Sequence, residues 1–189
     1  MKKTSLFSTL TIGLTIILSS CGTSGTKEQN DQSSQKNEMS AKIEVFNDID
    51  QTRQTLSQNG IGELGTWKSD GMGGYMSITS YHEFGTNSTG MKNNLAYYLE
   101  SESEDFVDKV KLVLNINNEN ENEKDQALTK FKNLTEETFR DLSIDMPKDL
   151  ITAIDNEKEF QFENEKYSTT LNLDKSKIDT WKLIIDSKE

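Results

Sequence analysis

The sequence contains one cysteine, Cys21, one proline, Pro147, and one histidine, His82. A single cysteine excludes an intramolecular disulfide, so any folded domain must be held by its apolar core rather than by covalent staples. A single histidine leaves triad-type catalysis short of components, and no serine stands in a nucleophile-elbow pattern. Positive charge is scarce as well: 21 Lys and Arg face 32 Asp and Glu, for a formal charge of −11. A chain this acidic is repelled by phosphate backbones and anionic headgroups, which argues against nucleic-acid binding and against docking of a domain face on the membrane. Long apolar runs are missing. The longest, from Leu6 to Leu18, has roughly 13 residues, short of the ~20 that span a bilayer as a helix.

That short run has its own context. Lys2 and Lys3 precede it, and the small residues Ser19 and Ser20 follow it. A charged start, a short apolar stretch and small residues are the parts of an export signal. The order Leu18-Ser19-Ser20-Cys21 resembles the lipobox of bacterial lipoproteins: a leucine, two small residues and the cysteine. The resemblance covers about the first tenth of the chain. It implies diacylglyceryl transfer to the Cys21 thiol, cleavage between Ser20 and Cys21, and often N-acylation of the new terminus. An ordinary secretory signal with an incidental cysteine is the plainer alternative. Loss of Lys2 and Lys3 with the leader would take the formal charge from −11 to −13. Each buried acyl methylene contributes ~0.8 kcal/mol, so two or three chains would hold the protein far more firmly than one.

Residues 22–42 are rich in Gly, Ser, Thr, Gln, Asn and charge and lack apolar periodicity. Such a segment reads as a disordered tether, with an end-to-end distance of roughly 25 Å as a flexible coil.

Residues 43–189 read as a single α+β domain. Phe46, Ile49, Arg53 and Leu56 at helical spacing predict a helix over 47–59, ended near Gly60. Strands are expected at 64–70, 74–84, 95–100 and 106–116. In the last of these Phe106, Val110, Leu112, Leu114 and Ile116 share one face, with Val113 the exception on the other. Ala127, Leu128, Phe131, Leu134, Thr138 and Leu142 predict a helix over 122–142. Pro147 suits the start of a short helix ending near 155. Strands at 160–162, 167–173 and 181–185 follow. The order is α-ββββ-αα-βββ: an antiparallel sheet with helices packed on one face, which also suggests two diverged halves.

Candidate chemistry is thin. His82 could be a lone base or an ordinary strand residue. The run Glu119, Glu121, Glu123 and Asp125 is rich in oxygen ligands but lacks the glycine turn of a calcium loop, and reads as a solvated loop with an acidic first helical turn. Gly71 to Gly74 lacks the Lys-Ser/Thr ending of a phosphate loop and reads as a hairpin turn. Glu102, Glu104 and Asp105 could pair for glycoside hydrolysis, but acidic clusters are common on such a chain. No metal site, cofactor or catalytic residue is assigned. Aromatics are enriched at interfaces, and Trp67, Tyr75, Tyr81 and Tyr97 are the candidate interaction surface. The expectation is a membrane-anchored extracytoplasmic lipoprotein, held through Cys21, that binds a protein or other envelope partner. The alternative is a small hydrolase, or an accessory subunit of one, with an unrecognised site.

Overall fold

The computed structural model describes residues 44–86 and 91–188, with side chains from Phe46 onward. The leader, the Cys21 lipidation site and the tether lie outside the described residues.

The chain enters through two short helices, α1 (Glu44–Asn47) and α2 (Ile49–Ser57). Asp48 separates them because its carboxylate accepts the Gln51 N–H at 2.9 Å, a side-chain cap on the first turn of α2. Five strands follow: β1 (Lys68–Ser69), β2 (Tyr75–Ile78), β3 (His82–Phe84), β4 (Asn93–Ser101) and β5 (Lys109–Asn117). Then come α3 (Glu121–Asp141), α4 (Leu150–Asp155), β6 (Phe160–Glu163), β7 (Tyr167–Asp174) and β8 (Ile178–Ser187). Asn120 caps α3 by accepting the amides of Asn122 and Glu123 at 3.1 and 3.4 Å.

All pairings are antiparallel. The eight-stranded sheet runs β1-β2-β4-β5-β8-β7-β6, with β3 also on the β2 side of β4. Each half thus begins with helix and meanders inward, and the last strand of each, β5 and β8, meets the other at the centre of the sheet. The α+β class is as expected, and the order α-ββββ-αα-βββ is matched except that the first helix is two, α1 and α2, and the first run of strands has five members.

Three strand expectations need correction. Of the run 64–70 only Lys68–Ser69 is strand, and Leu64 makes an isolated bridge to Thr79. The run 74–84 is not one strand. The β2–β4 register pairs Ile78 with Tyr98, whereas the β3–β4 register pairs His82 with Leu95. One extra residue is therefore accommodated between them, as in a β-bulge, and the side-chain phase flips. Thr79 holds the bulge: its N–H donates to the Tyr97 carbonyl at 3.1 Å and its hydroxyl accepts the Tyr97 N–H at 3.0 Å. The run 106–116 also starts late. Val107, not Phe106, is fully buried, with its N–H on the Phe46 carbonyl at 2.9 Å.

One face of the sheet forms the core. Leu95, Tyr97 and Leu99 of β4, Val110, Leu112, Leu114 and Ile116 of β5, and Trp181, Leu183 and Ile185 of β8 are buried there. They pack with Leu56 of α2, Ala127, Phe131 and Leu134 of α3, and Leu150 and Ile154 of α4. Phe131 and Trp181 lie 6.1 Å apart, centroid to centroid. Both later helices end alike. Ser143 after α3 and Glu157 after α4 take positive φ, and the following amide reaches back to the Phe139 or Ala153 carbonyl, the hydrogen-bond pattern of a Schellman cap on residues other than glycine.

Candidate interaction surface

The second face of the sheet carries no helix among the described residues. Its side chains can be read row by row from the strand register. One row runs Ile78, Tyr98, Lys111, Ile184, Thr170, Gln161 from β2 to β6. The next runs Ala96, Val113, Lys182, Asn172, and the one beyond it Asn94, Asn115, Thr180, Asp174. On the other side lie Met76, Glu100, Lys109, Asp186 and Ser168.

These rows give the face an apolar and aromatic middle, interrupted by Lys111 between Tyr98 and Ile184, with polar margins. Ile78, Tyr98 and Ile184 are half-buried, and Val113 is 9% exposed beside the fully buried Ala96. Continuing the β3 register places Tyr81 across from Ala96, and the Tyr81 hydroxyl meets that of Tyr98 at 3.2 Å. Tyr81 is 59% exposed, one of the few large hydrophobic side chains in the open. Burial, and then the Tyr81 hydroxyl, push the Tyr98 phenol well above its usual value. One margin is a side-chain ladder: Asn115 donates to Asn94 Oδ1 at 2.9 Å and accepts from the Thr180 hydroxyl at 2.9 Å. The other margin is ionic. Lys111 pairs with Glu100 at 2.5 Å and Lys109 with Asp186 at 3.3 Å. Lys182 is exposed and has no ion pair among the described residues.

The four aromatics named from sequence do not share this surface. Tyr81 belongs to it. Trp67 and Tyr75 stack together at 6.2 Å and 21°, on the helix-covered side by register, at the β1–β2 margin. Both hold the β4–β5 loop: Trp67 Nε1 donates to the Glu104 carbonyl at 3.0 Å and the Tyr75 hydroxyl donates to the Glu104 carboxylate at 3.3 Å. That carboxylate raises the Tyr75 phenol above its ordinary value. Tyr97 is a correction. It is fully buried, bonded to the Thr138 hydroxyl at 2.7 Å and to Asn59 at 3.2 Å, and burial pushes its phenol up to about 12. It is a core residue and offers no contact surface. Its neighbour Tyr98 takes that place, with Ile78, Val113 and Ile184. The one sequence signal for them was the break in alternation at Val113.

The residues that suggested chemistry each have a local structural task. His82 Nε2 meets Lys130 Nζ of α3 at 2.8 Å. Burial, and then Lys130, lower the affinity of the ring for a proton. Glu123, from the acidic run, accepts the Thr86 N–H at 2.8 Å and the Thr86 hydroxyl as well, which holds its carboxyl below the usual range. No group of three or more His, Cys, Asp or Glu converges as metal ligands do among the described residues. In the glycine loop the amides of Met72 and Gly74 are already taken by the Asp70 carboxylate, at 2.7 and 3.0 Å, so a phosphate would have to displace it. Glu102 and Glu104 work apart: Glu102 N–H donates to Asp108 and Glu104 serves Trp67 and Tyr75. An open groove of about 740 Å³ lies between the glycine loop and the start of β5, lined by Asp70, Met76, Glu100, Glu102 and Asp108 among others.

Comparison with known proteins finds no matching family model, no matching curated protein and no matching solved structure. No helix among the described residues is long and apolar enough to cross a membrane.

Proposed function

We propose that the protein is a bacterial lipoprotein, anchored by lipid on Cys21 at the extracytoplasmic face of a membrane, whose domain binds a protein partner through the uncovered face of its sheet. The observation that carries the binding half is the composition of that face. Tyr81, Tyr98, Ile78, Val113 and Ile184 form its middle, and paired charges and an amide ladder form its margins. An apolar, aromatic centre with a polar rim is the anatomy of a protein-binding surface. Strands β2, β4, β5, β8, β7 and β6 have 4, 9, 9, 10, 8 and 4 residues, which at ~3.3 Å per residue and ~4.8 Å between strands give a face of roughly 700 Å², near the ~800 Å² per partner of a standard interface. The anchoring half rests on Leu18-Ser19-Ser20-Cys21 after a short apolar run.

The test joins fractionation with capture. Cys21→Ala should release the protein from the membrane fraction and abolish labelling by a fatty-acid analogue. Ile184→Glu puts a charge at the centre of the face, where its neighbours are Lys111 and Thr170. It should abolish crosslinking to the captured partner in intact cells while the denaturation midpoint stays near that of the parent. Capture unchanged by Ile184→Glu and by Tyr98→Ala would refute the surface. Membrane retention and labelling unchanged in Cys21→Ala would refute the anchor.

A further inference from the structure

The β3 strand lies beside the proposed docking face yet is held to the helix layer by side chains that titrate. β3 has only three residues and pairs with β4 alone. Three contacts tie it and its following residues to α3: His82 to Lys130, the Lys130 ammonium over the Phe84 ring, and Thr86 to Glu123. Tyr81, the exposed aromatic of the open face, is the residue immediately before His82.

We propose that protonation of His82 releases β3 from α3 and carries Tyr81 away from Tyr98, so that the docking face is dismantled in acid. This rests on the reading of that face as the binding surface. The geometry sets the logic. A lysine ammonium has donors and no acceptor, so His82 Nε2 must accept, with the ring neutral and its proton on Nδ1. A second ring proton removes the acceptor and leaves two cations where a 2.8 Å hydrogen bond had been.

The surroundings do not relieve that repulsion. On α3, Lys130 faces the ring, and Glu123 is committed to Thr86. On β3, Glu83 points to the opposite sheet face by register and pairs with Lys92 at 3.5 Å. The β4 residues paired with β3 are Asn93, Asn94 and Leu95, none of which titrates. The Lys130 ammonium also sits over the Phe84 ring at 5.3 Å, which favours its staying beside the imidazole.

The direction follows from linkage. The clipped state lowers the ring's proton affinity from its ordinary 6.5, so the link is intact above that pH and weakens as pH falls below it. If the released ring titrates near its ordinary value, acid favours release by up to about 30-fold at pH 5. The Thr86–Glu123 link behaves differently. Its carboxyl is held below the ordinary 4.5 and stays charged across this window.

The experiment is hydrogen exchange of the full chain at pH 7.5 and pH 5.0, corrected for intrinsic rates, with hydroxyl-radical footprinting of Tyr98. In the parent, amides of the β3 residues 82–84 should exchange faster at pH 5.0 by a factor between several and about 30, and Tyr98 should become more reactive as Tyr81 leaves it. His82→Gln retains an acceptor that does not titrate, and should remove both responses. Lys130→Met removes the opposing cation, and should shrink the pH dependence. Equal exchange at the two pH values, or the same acid response in His82→Gln, overturns the proposal. So does faster exchange without any change at Tyr98. None of these readouts involves a partner. Failure here therefore leaves the Ile184→Glu capture test standing, and failure of that test leaves the pH response of β3 to be measured.

Discussion

Truncating Leu114 to Ala should cost about two to three times as much stability as truncating its chain neighbour Val113, because the two side chains stand on opposite faces of β5. Leu114 is fully buried, with Leu95 and Trp181 beside it in the ladder and the helix layer above. Phe131 of α3 reaches Trp181 at 6.1 Å, so the site is closed by rigid rings that relax poorly into a void. Leu114→Ala therefore belongs high in the range for buried leucine, about 3–5 kcal/mol of transfer and cavity terms together. Val113 is also mostly covered, at 9% exposure, but its cover is Ala96 and the stem of Lys182 on a face without helices. Val113→Ala loses two methyl groups beside solvent that can fill the space, about 1.6 kcal/mol at ~0.8 kcal/mol per carbon. Urea denaturation followed by tryptophan fluorescence and by circular dichroism measures both, and an unchanged m-value would confirm that the unfolding reaction is the same. Equal costs at the two positions would mean that both faces are covered alike. That result would refute the two-layer reading and the availability of the open face together.

Other consequences are as direct. Tyr97→Phe strands Asn59 and removes one partner of Thr138, and should lower stability by about 1–2 kcal/mol at neutral pH. The parent should also lose stability as pH rises from 10 toward about 12, since the unfolded phenol ionises first, and Tyr97→Phe should flatten that alkaline limb of a pH-dependent melting series. Ser143→Gly should stabilise by about 0.5–1 kcal/mol in the same urea assay, because Ser143 holds a φ of 53° that glycine adopts without strain. Glu123→Gln should increase amide exchange at Thr86 at neutral pH. In the parent the same loosening should come only as pH falls through the depressed carboxyl value, below the ordinary 4.5.

Periodicity made much of the fold legible. The alternation Val110, Leu112, Leu114, Ile116 and the three- and four-residue steps of α3 each report a single buried face, and those elements lie where the patterns put them. The bulge at 79–81 was hidden for a physical reason. One extra residue flips the inward phase from Tyr75 and Ser77 to His82 and Phe84, and a reader following one parity through 74–84 misplaces half of it. The candidate surface was less legible. Tyr97 and Tyr98 are adjacent and chemically alike, and only phase separates them. That phase was present in Leu95 and Leu99, which share parity with Tyr97 and are both fully buried. Trp67 and Tyr75 carry no local mark that distinguishes a stack braced on a loop from an exposed anchor, because Glu104, their shared partner, lies far along the chain. The open face itself was invisible, since it is assembled from register across distant strands.

That face also gives a physical reading of the acidity of the chain. A sheet that leaves Ile78, Tyr98 and Ile184 uncovered presents an apolar patch to every other copy, and such patches promote association. Its own charges nearly cancel, since Lys111 pairs with Glu100 and Lys109 with Asp186. Local repulsion therefore does not guard it. Repulsion has to come from the rest of the molecule, and a formal charge of −11 supplies it at the range where two copies first meet. The Debye length is about 8 Å at physiological salt, so this protection acts on approach and fades once a complementary surface is in contact. A partner without strong negative charge would feel little of the barrier. On the proposed reading, the same distribution that keeps copies apart would favour a neutral or basic partner. Raising salt should then increase self-association of the parent by light scattering, and Ile184→Glu should suppress that increase. Self-association that is insensitive to salt, or is unchanged by Ile184→Glu, would separate the acidity from the open face.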